Sequence, residues 1–264
     1  MRRFERFIAI GDSTVEGLDD PDGRGGYRGW ANRLAERIAR DQGDLLYANL
    51  AIRGRTTREV RDEQLEPALA MRPDLAVVVA GTNDILRPHF DAEATARTIE
   101  TMQRALIEAG ATVLSFSLPD LTPVMPLALP LRDRIHRFAV ELVAAGRRSG
   151  ARVIDFTAHP VASDPRLWSD DRLHANSLGH ARIAEALAHA LELPGANANW
   201  AAPLEARPAR GLTGVLTDEW RWSREHFLPW LWRHARGRSS GDGRGPKRAQ
   251  LSPVVPFEST AERR

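Results

Sequence analysis

Through residues 1–195 the chain alternates two patterns: short unbroken apolar runs, and longer stretches where apolar residues return every three or four positions. The runs are Phe7–Ile10, Leu45–Leu50, Leu75–Ala80, Thr112–Phe116 and Arg152–Phe156. Continuous apolar runs without alternation predict strands of a parallel sheet covered on both faces. Between them the helical period recurs at Trp30, Leu34 and Ile38, then at Val60, Leu65 and Leu69. It recurs again at Ile99, Met102 and Leu106, and at Ile135, Phe138 and Leu142. A last stripe runs through Leu178, Ala181, Ala184, Leu187 and Leu191, with Asn176 suited to cap its start. Five strand–helix units predict a three-layer α/β/α domain around a doubly wound, five-stranded parallel sheet. In such a sheet, ligands bind beyond the carboxyl ends of the strands, where the strand order reverses.

The pattern stops near Pro194-Gly195 and resumes only around Leu212, dividing the chain into a body (1–195), an arm (196–236) and a tail (237–264). Four of the seven Trp residues, Trp220, Trp222, Trp230 and Trp232, cluster between Asp218 and Arg233 of the arm. So much aromatic surface must be buried somewhere. The expected place is the body; the alternative is a peripheral contact with an anionic membrane surface, aided by Arg233, Arg236 and Arg238. The tail is rich in Gly, Ser, Pro and Arg and is expected to be disordered.

Charge follows the same division: residues 1–195 carry 25 Arg against 28 Asp and Glu, and residues 196–264 carry 12 Lys and Arg against 7 Asp and Glu. The basic tail comes with no recognition motif, so nucleic acid is not an expected partner. Without cysteine there is no disulfide framework, Cys nucleophile or thiolate metal site. The single lysine, Lys247, does not follow the glycine pattern of a phosphate-binding P-loop. No apolar run approaches a membrane span, and none of signal-peptide length precedes Gly11; a cytoplasmic location is expected.

The chemistry sits where the strands end. Gly11-Asp12-Ser13 follows the first, Asn49 to Gly54 the second, and Gly81-Thr82-Asn83-Asp84 the third. The fold rule puts all three loops in one crevice, where they offer a hydroxyl, a glycine amide and a carboxamide. A nucleophile with donors aimed at an oxygen that becomes negative is what acyl transfer needs. Asp171-Arg172-Leu173-His174, just before the last helix, can supply the base, because a three-residue spacing lets the carboxylate fold back onto the imidazole.

These blocks resemble the SGNH hydrolases, the GDSL-like lipase and esterase family: Gly11-Asp12-Ser13 with Gly17, Asn49 to Gly54, Gly81 to Asp84, and Asp171 to His174, spread over residues 5–193. The resemblance implies a flavodoxin-like sheet of order 2-1-3-4-5 and hydrolysis of a small-molecule ester. It implies Ser13 as nucleophile, His174 as base and Asp171 as its orienting acid. The Ser13 and Gly54 amides and the Asn83 side chain would form the oxyanion hole. No metal or organic cofactor is implied. An acyltransferase using the same site, or a non-catalytic lipid- or partner-binding protein on the same fold, are the alternative readings. Thr14 stands where the family's nominal motif has Leu, a position that varies among members.

Other motifs fail. Val15 occupies the second glycine position of a G-x-S-x-G elbow. Gly23 to Gly29 does not follow a strand as a dinucleotide loop must, and reads as a mobile loop before the first long helix. Asp19, Asp20 and Asp22 resemble part of a calcium loop, but Leu18 and Gly29 occupy its first and last ligand positions. Arg53 and Arg55 flank Gly54 and are expected on a solvated rim, with contact to an anionic substrate group as the alternative.

Overall fold

The computed structural model describes residues 3–205, 222, 224 and 241–255. Five strands pair in parallel: β1 (Arg6–Gly11), β2 (Leu46–Asn49), β3 (Leu75–Val79), β4 (Thr112–Phe116) and β5 (Arg152–Ile154). Their order, 5-4-3-1-2, is the expected 2-1-3-4-5 seen from the other edge. Successive residues of each strand face opposite layers. Phe7, Ala9, Tyr47, Val77, Val79, Leu114 and Phe116 pack under α2 (Gly29–Gln42) and α7 (Ser177–Ala190). Ile8, Ile10, Ala48, Ala76, Val78 and Val113 pack under α3 (Thr57–Ala70), α5 (Ala92–Glu108) and α6 (Arg132–Ser149). Two short helices, α1 (Ser13–Glu16) and α4 (Thr82–Ile85), follow β1 and β3 directly.

The predicted stripes are the buried faces: Trp30, Leu34, Ile99, Met102, Leu106, Phe138 and Leu142 lie in the core. Leu65, Leu69 and Ala181 are half-buried, and Leu178 is 47% exposed because it occupies the solvent side of α7's first turn. Helix starts are set by side chains. Thr56 and Glu59 form a reciprocal capping box at α3, Asp91 caps α5, and Asn176 caps α7 by accepting from the Leu178 and Gly179 amides.

Two expectations are corrected. The sheet has six strands rather than five, and part of the tail expected to be disordered forms the sixth. β6 (Arg248–Pro253) pairs antiparallel with β2, Tyr47 opposite Ser252 and Asn49 opposite Arg248. Composition misses it because the strand draws little from apolar burial. It forms because the β2 edge presents unpaired backbone donors and acceptors that must be covered. The Arg248 guanidinium lies 5.1 Å from the Tyr47 ring centroid. Lys247 Nζ donates to the Tyr27 and Arg28 carbonyls at 3.0 and 2.9 Å. That contact ties the chain entering β6 to the Gly-rich loop, which also folds around Asp22, acceptor for the Arg24 and Gly26 amides. Removing residues 241–264 is therefore expected to lower the melting temperature and to raise the tendency to aggregate through the bared β2 edge, measured by calorimetry and light scattering.

Candidate active site

The turn after β1 places Ser13. Asp12 Oδ1 accepts the Thr14 amide at 3.0 Å and caps α1, so Ser13 is the first helical residue. Gly17 closes α1 at φ 89°, and a Cβ there would come within 2.4 Å of Gly29 Cα; only glycine lets α1 end this close to the start of α2. Trp30 Nε1 donates to the Thr14 carbonyl at 2.7 Å and locks the turn to the core. Asp12 is fully buried, and burial pushes its carboxyl up to about 6 against the pull of its Thr14 contacts and the charge of His174.

His174 reaches the same point from the loop before α7. A bridge between Trp168 and Ala175 and the bond from the Ser169 amide to the His174 carbonyl (2.8 Å) close that loop, with Arg172 at φ 60° inside it. His174 Nε2 lies 2.8 Å from Ser13 Oγ, and its Nδ1 lies 2.6 Å from Asp171 Oδ2. The other carboxylate oxygen of Asp171 accepts the Leu173 and His174 amides at 2.9 and 3.0 Å. Burial raises the Asp171 carboxyl, but these bonds and the His174 charge overcome it and hold it well below the usual carboxylate range. His174 responds oppositely: burial opposes its charged form, yet the bond and charge of Asp171, joined by Asp19 and Asp12, raise its pKa above the ordinary 6.5.

Gly54 and Asn83 lie on loops that contact α1 and the Asp12 turn, through Arg53 and Asn83 itself. Gly54 adopts φ 77°, a left-handed conformation that favours glycine. Its loop is anchored to α1 through Arg53, whose amide donates to Glu16 Oε2 at 2.9 Å and whose guanidinium pairs with the same carboxylate. Asn83 Nδ2 donates to the Arg55 carbonyl at 3.0 Å and lies 3.4 Å from Asp12 Oδ2. Asp84 fastens this loop to α3 by accepting the Thr57 amide and hydroxyl at 2.8 and 3.0 Å. Among the described residues, neither the Ser13 nor the Gly54 amide donates to a protein acceptor. Of the two arginines expected on a solvated rim, Arg53 is half-buried, held by Glu16 and 5.3 Å from the Tyr27 ring centroid, and Arg55 pairs with Glu63 at 2.8 Å at the exposed edge.

Three participants escape sequence reasoning. Asp19, weighed there only as a calcium ligand, has Oδ2 at 3.9 Å from His174 Nδ1. Ser169 Oγ lies 2.7 Å from Asp19 and 2.6 Å from Asp171. Trp222, from the arm, is 6% exposed; its Nε1 donates to the Asp171 carbonyl at 3.2 Å, and the Arg172 guanidinium lies 4.9 Å from its ring centroid. Trp220, Trp230 and Trp232 lie outside the described residues. Asp19, Asp171 and His174 are also the grouping among the described residues whose donor atoms approach within 4.8 Å, as a metal site would require. A cation there would have to break the 2.6 Å His174–Asp171 bond.

An apolar cavity of about 60 Å³ opens beside Ser13 and His174, walled by Phe116, Phe156, Val161, Leu167, Trp168 and Trp200. No helix among the described residues is long and apolar enough to cross a membrane.

The fold recurs in solved structures. An acetylxylan esterase, Axe2 from Geobacillus stearothermophilus, superposes with a TM-score of 0.62 at 15% identity, covering 74% of this chain and 97% of that one. TesA matches at 0.59 and 23% identity, over 71% and 98% of the two chains. LAE5, a hydrolase from the metagenome of Lake Arreo, Spain, matches at 0.60 and 18%, over 71% and 95%. At such identities the likeness speaks for the fold alone. No curated protein matches the sequence significantly. The model of the GDSL-like Lipase/Acylhydrolase family, by contrast, matches residues 9–182, from β1 into α7 and across every loop just described. With that span matched, the chain belongs to the GDSL-like lipase/acylhydrolase family and is an ester hydrolase of the esterase or lipase type.

Proposed function

We propose that the protein hydrolyses carboxylic esters of small molecules through an acyl-enzyme on Ser13, and that it favours short apolar acyl groups. The observation that carries this reading is the unbroken relay from Ser13 Oγ to His174 Nε2 to Asp171, at 2.8 and 2.6 Å. A carboxylate at Nδ1 holds the proton there and leaves Nε2 as the acceptor of the Ser13 hydroxyl proton. As Ser13 Oγ bonds to the ester carbonyl carbon, its proton passes to Nε2, and Asp171 stabilises the imidazolium without taking the proton itself. The carbonyl oxygen, now negative, takes hydrogen bonds from the Ser13 and Gly54 amides and from Asn83 Nδ2, which exchanges its long 3.4 Å contact with Asp12 for the substrate oxygen. Collapse breaks the bond to the alcohol, which leaves with the proton from His174. Water then repeats the sequence and releases the acid.

The apolar cavity supports the acyl preference. Its walls are mainly apolar, the guanidinium of Arg182 at its edge being taken up by the Asn199, Trp200 and Ala202 carbonyls, and its volume suits a chain of a few carbons. The same site would serve an acyltransferase if an alcohol replaced water, so product analysis with added alcohols separates the two activities.

Ser13→Ala and His174→Ala are each expected to remove nearly all turnover, with the double variant little worse than either, because the pair acts as a unit. Asn83→Ala is expected to cost about 10²–10³ in kcat through loss of one oxyanion donor. Turnover retained by Ser13→Ala in a panel of esters would overturn the serine mechanism.

The pH profile follows from His174. The base must be neutral, and its pKa is raised, so kcat/KM should rise with pH through a midpoint above 6.5. The same shift acts oppositely on folding. The stability contributed by the His174 charge is present below 6.5 and is lost as pH rises through the raised value. The stability contributed by Asp171 is present above 3.8 and is lost as pH falls through its depressed value. Initial-rate profiles and chemical denaturation across pH check both.

Filling the cavity tests the acyl preference. Ala162 lines it, and Ala162→Phe is expected to lower kcat/KM about tenfold or more for butyrate and longer esters while sparing acetate esters. Equal losses for all chain lengths would place the acyl group elsewhere.

A further inference from the structure

The relay carries one more carboxylate than it needs. Asp19 lies on the loop between α1 and α2, distant in sequence from the Asp171–His174 loop, yet its Oδ2 stands 3.9 Å from His174 Nδ1 and 2.7 Å from Ser169 Oγ. Ser169 Oγ is also 2.6 Å from Asp171 Oδ1, so one hydroxyl, with one proton to give, faces two carboxylates. Asp171 Oδ1 already accepts the Leu173 and His174 amides, and its Oδ2 accepts the imidazole. The orienting acid is saturated with donors, while the second carboxylate is within ion-pair distance of the same ring nitrogen.

The placement of Asp19 is over-determined. It adopts φ 65°, a left-handed conformation costly for a residue with a Cβ and tolerated best by Asn and Asp. Both neighbours are pinned. The Leu18 carbonyl accepts from His180 Nε2 at 2.8 Å, and His180 Nδ1 in turn accepts the Trp30 amide at 3.1 Å. Burial, opposed by the Leu18 bond, depresses the pKa of His180 to about 4, so this imidazole stays neutral and its bonds persist. On the other side Asp20, 1% exposed, takes two bonds from Arg33 at 2.8 Å each and one from the Gly29 amide at 3.0 Å. Residues locked this firmly on either side of a strained one fix the carboxylate between them at the imidazole.

We propose that Asp19 is a positioning residue: a second carboxylate that, through Ser169 and directly, holds His174 in its working orientation, supports the imidazolium, and takes over part of the orienting role when Asp171 is lost. The charged groups facing His174 are Asp171 on its own loop, Asp12 at the end of β1 and Asp19. Asp170 and Arg172 share its loop, and Arg172 lies over the Trp222 ring. Of the three facing carboxylates, Asp171 makes the bond, Asp12 is committed to capping α1, and Asp19 alone is joined to Asp171 through a shared hydroxyl.

The proposal rests on the serine-hydrolase reading but can be tested apart from it. Asp19→Asn keeps the side-chain size and suits the left-handed backbone, so the variant is expected to fold. Followed by NMR with no substrate present, His174 should titrate at lower pH in Asp19→Asn than in the wild type, and Asp19→Glu should restore part of the shift. Where a triad loses its only orienting acid, kcat falls about 10⁴-fold. Here Asp171→Ala is expected to lose about 10²-fold and Asp171→Ala with Asp19→Asn the remainder, with KM little changed in both. An unchanged His174 titration in Asp19→Asn, or a double variant no worse than Asp171→Ala, would overturn the role of Asp19 while leaving the serine hydrolase intact. Turnover surviving Ser13→Ala would instead overturn the serine mechanism and, with it, the catalytic half of the proposal.

Discussion

The site depends on the turn at the end of β1, where a fully buried carboxylate caps a one-turn helix. Asp12 cannot reach water, so its oxygens must be satisfied by the protein, and they are satisfied by the two elements that have to meet: the Thr14 amide of α1 and, at longer range, Asn83 of the neighbouring loop. The cost of burying that charge is visible in its raised pKa. In return the turn has one geometry, and Ser13 has one direction to point.

Every other part of the site is referred to that turn. α1 carries Glu16, which holds Arg53 and so sets the loop of Gly54. Gly17 and Gly29 meet at backbone contact, bringing α2 against α1, and the Trp30 indole and amide bind Thr14 and His180 respectively. His180 is on α7, the helix that the His174 loop leads into. A hydrogen-bonded circuit thus runs from β1 through α1 and α2 to α7, and it is why residues 161 positions apart can hold a 2.8 Å contact. The arm and the tail join from outside. Trp222 bonds the Asp171 carbonyl, and Gly241 packs so closely on the Arg53 carbonyl that a Cβ there would lie 2.0 Å from it.

Electrostatically the site separates its carboxylates by environment. Asp171, rich in donors, is held ionised; Asp12, enclosed with fewer donors, is pushed toward neutrality; His174 between them is made more basic. A strong base at Nε2, oriented by a carboxylate that does not accept its proton, is suited to draw the proton from a serine hydroxyl. The apolar walls beside Ser13 and His174 lower the polarity around them, which strengthens each of these interactions.

Local order determines much of this molecule. Apolar runs such as Leu75–Val79 have no polar face, so they must be strands buried on both sides, and stripes such as Ile99, Met102 and Leu106 must be helices covering them. Once the units alternate, handedness and the switch point follow, and the blocks at Ser13, Gly54, Asn83 and Asp171–His174 fall on one edge of the sheet. What sequence could not decide is whatever depends on distant surfaces meeting. β6 has no apolar period of its own and exists because β2 leaves an edge to cover. Asp19 looks like a loop acid until α7 and the Asp171 loop fold over it. Trp222 had to be buried somewhere, but only the folded body offers the Asp171 carbonyl and the Arg172 guanidinium that receive it. Periodicity is a property of neighbouring residues and can be read along the chain; a contact between segments exists only when both surfaces are already in place.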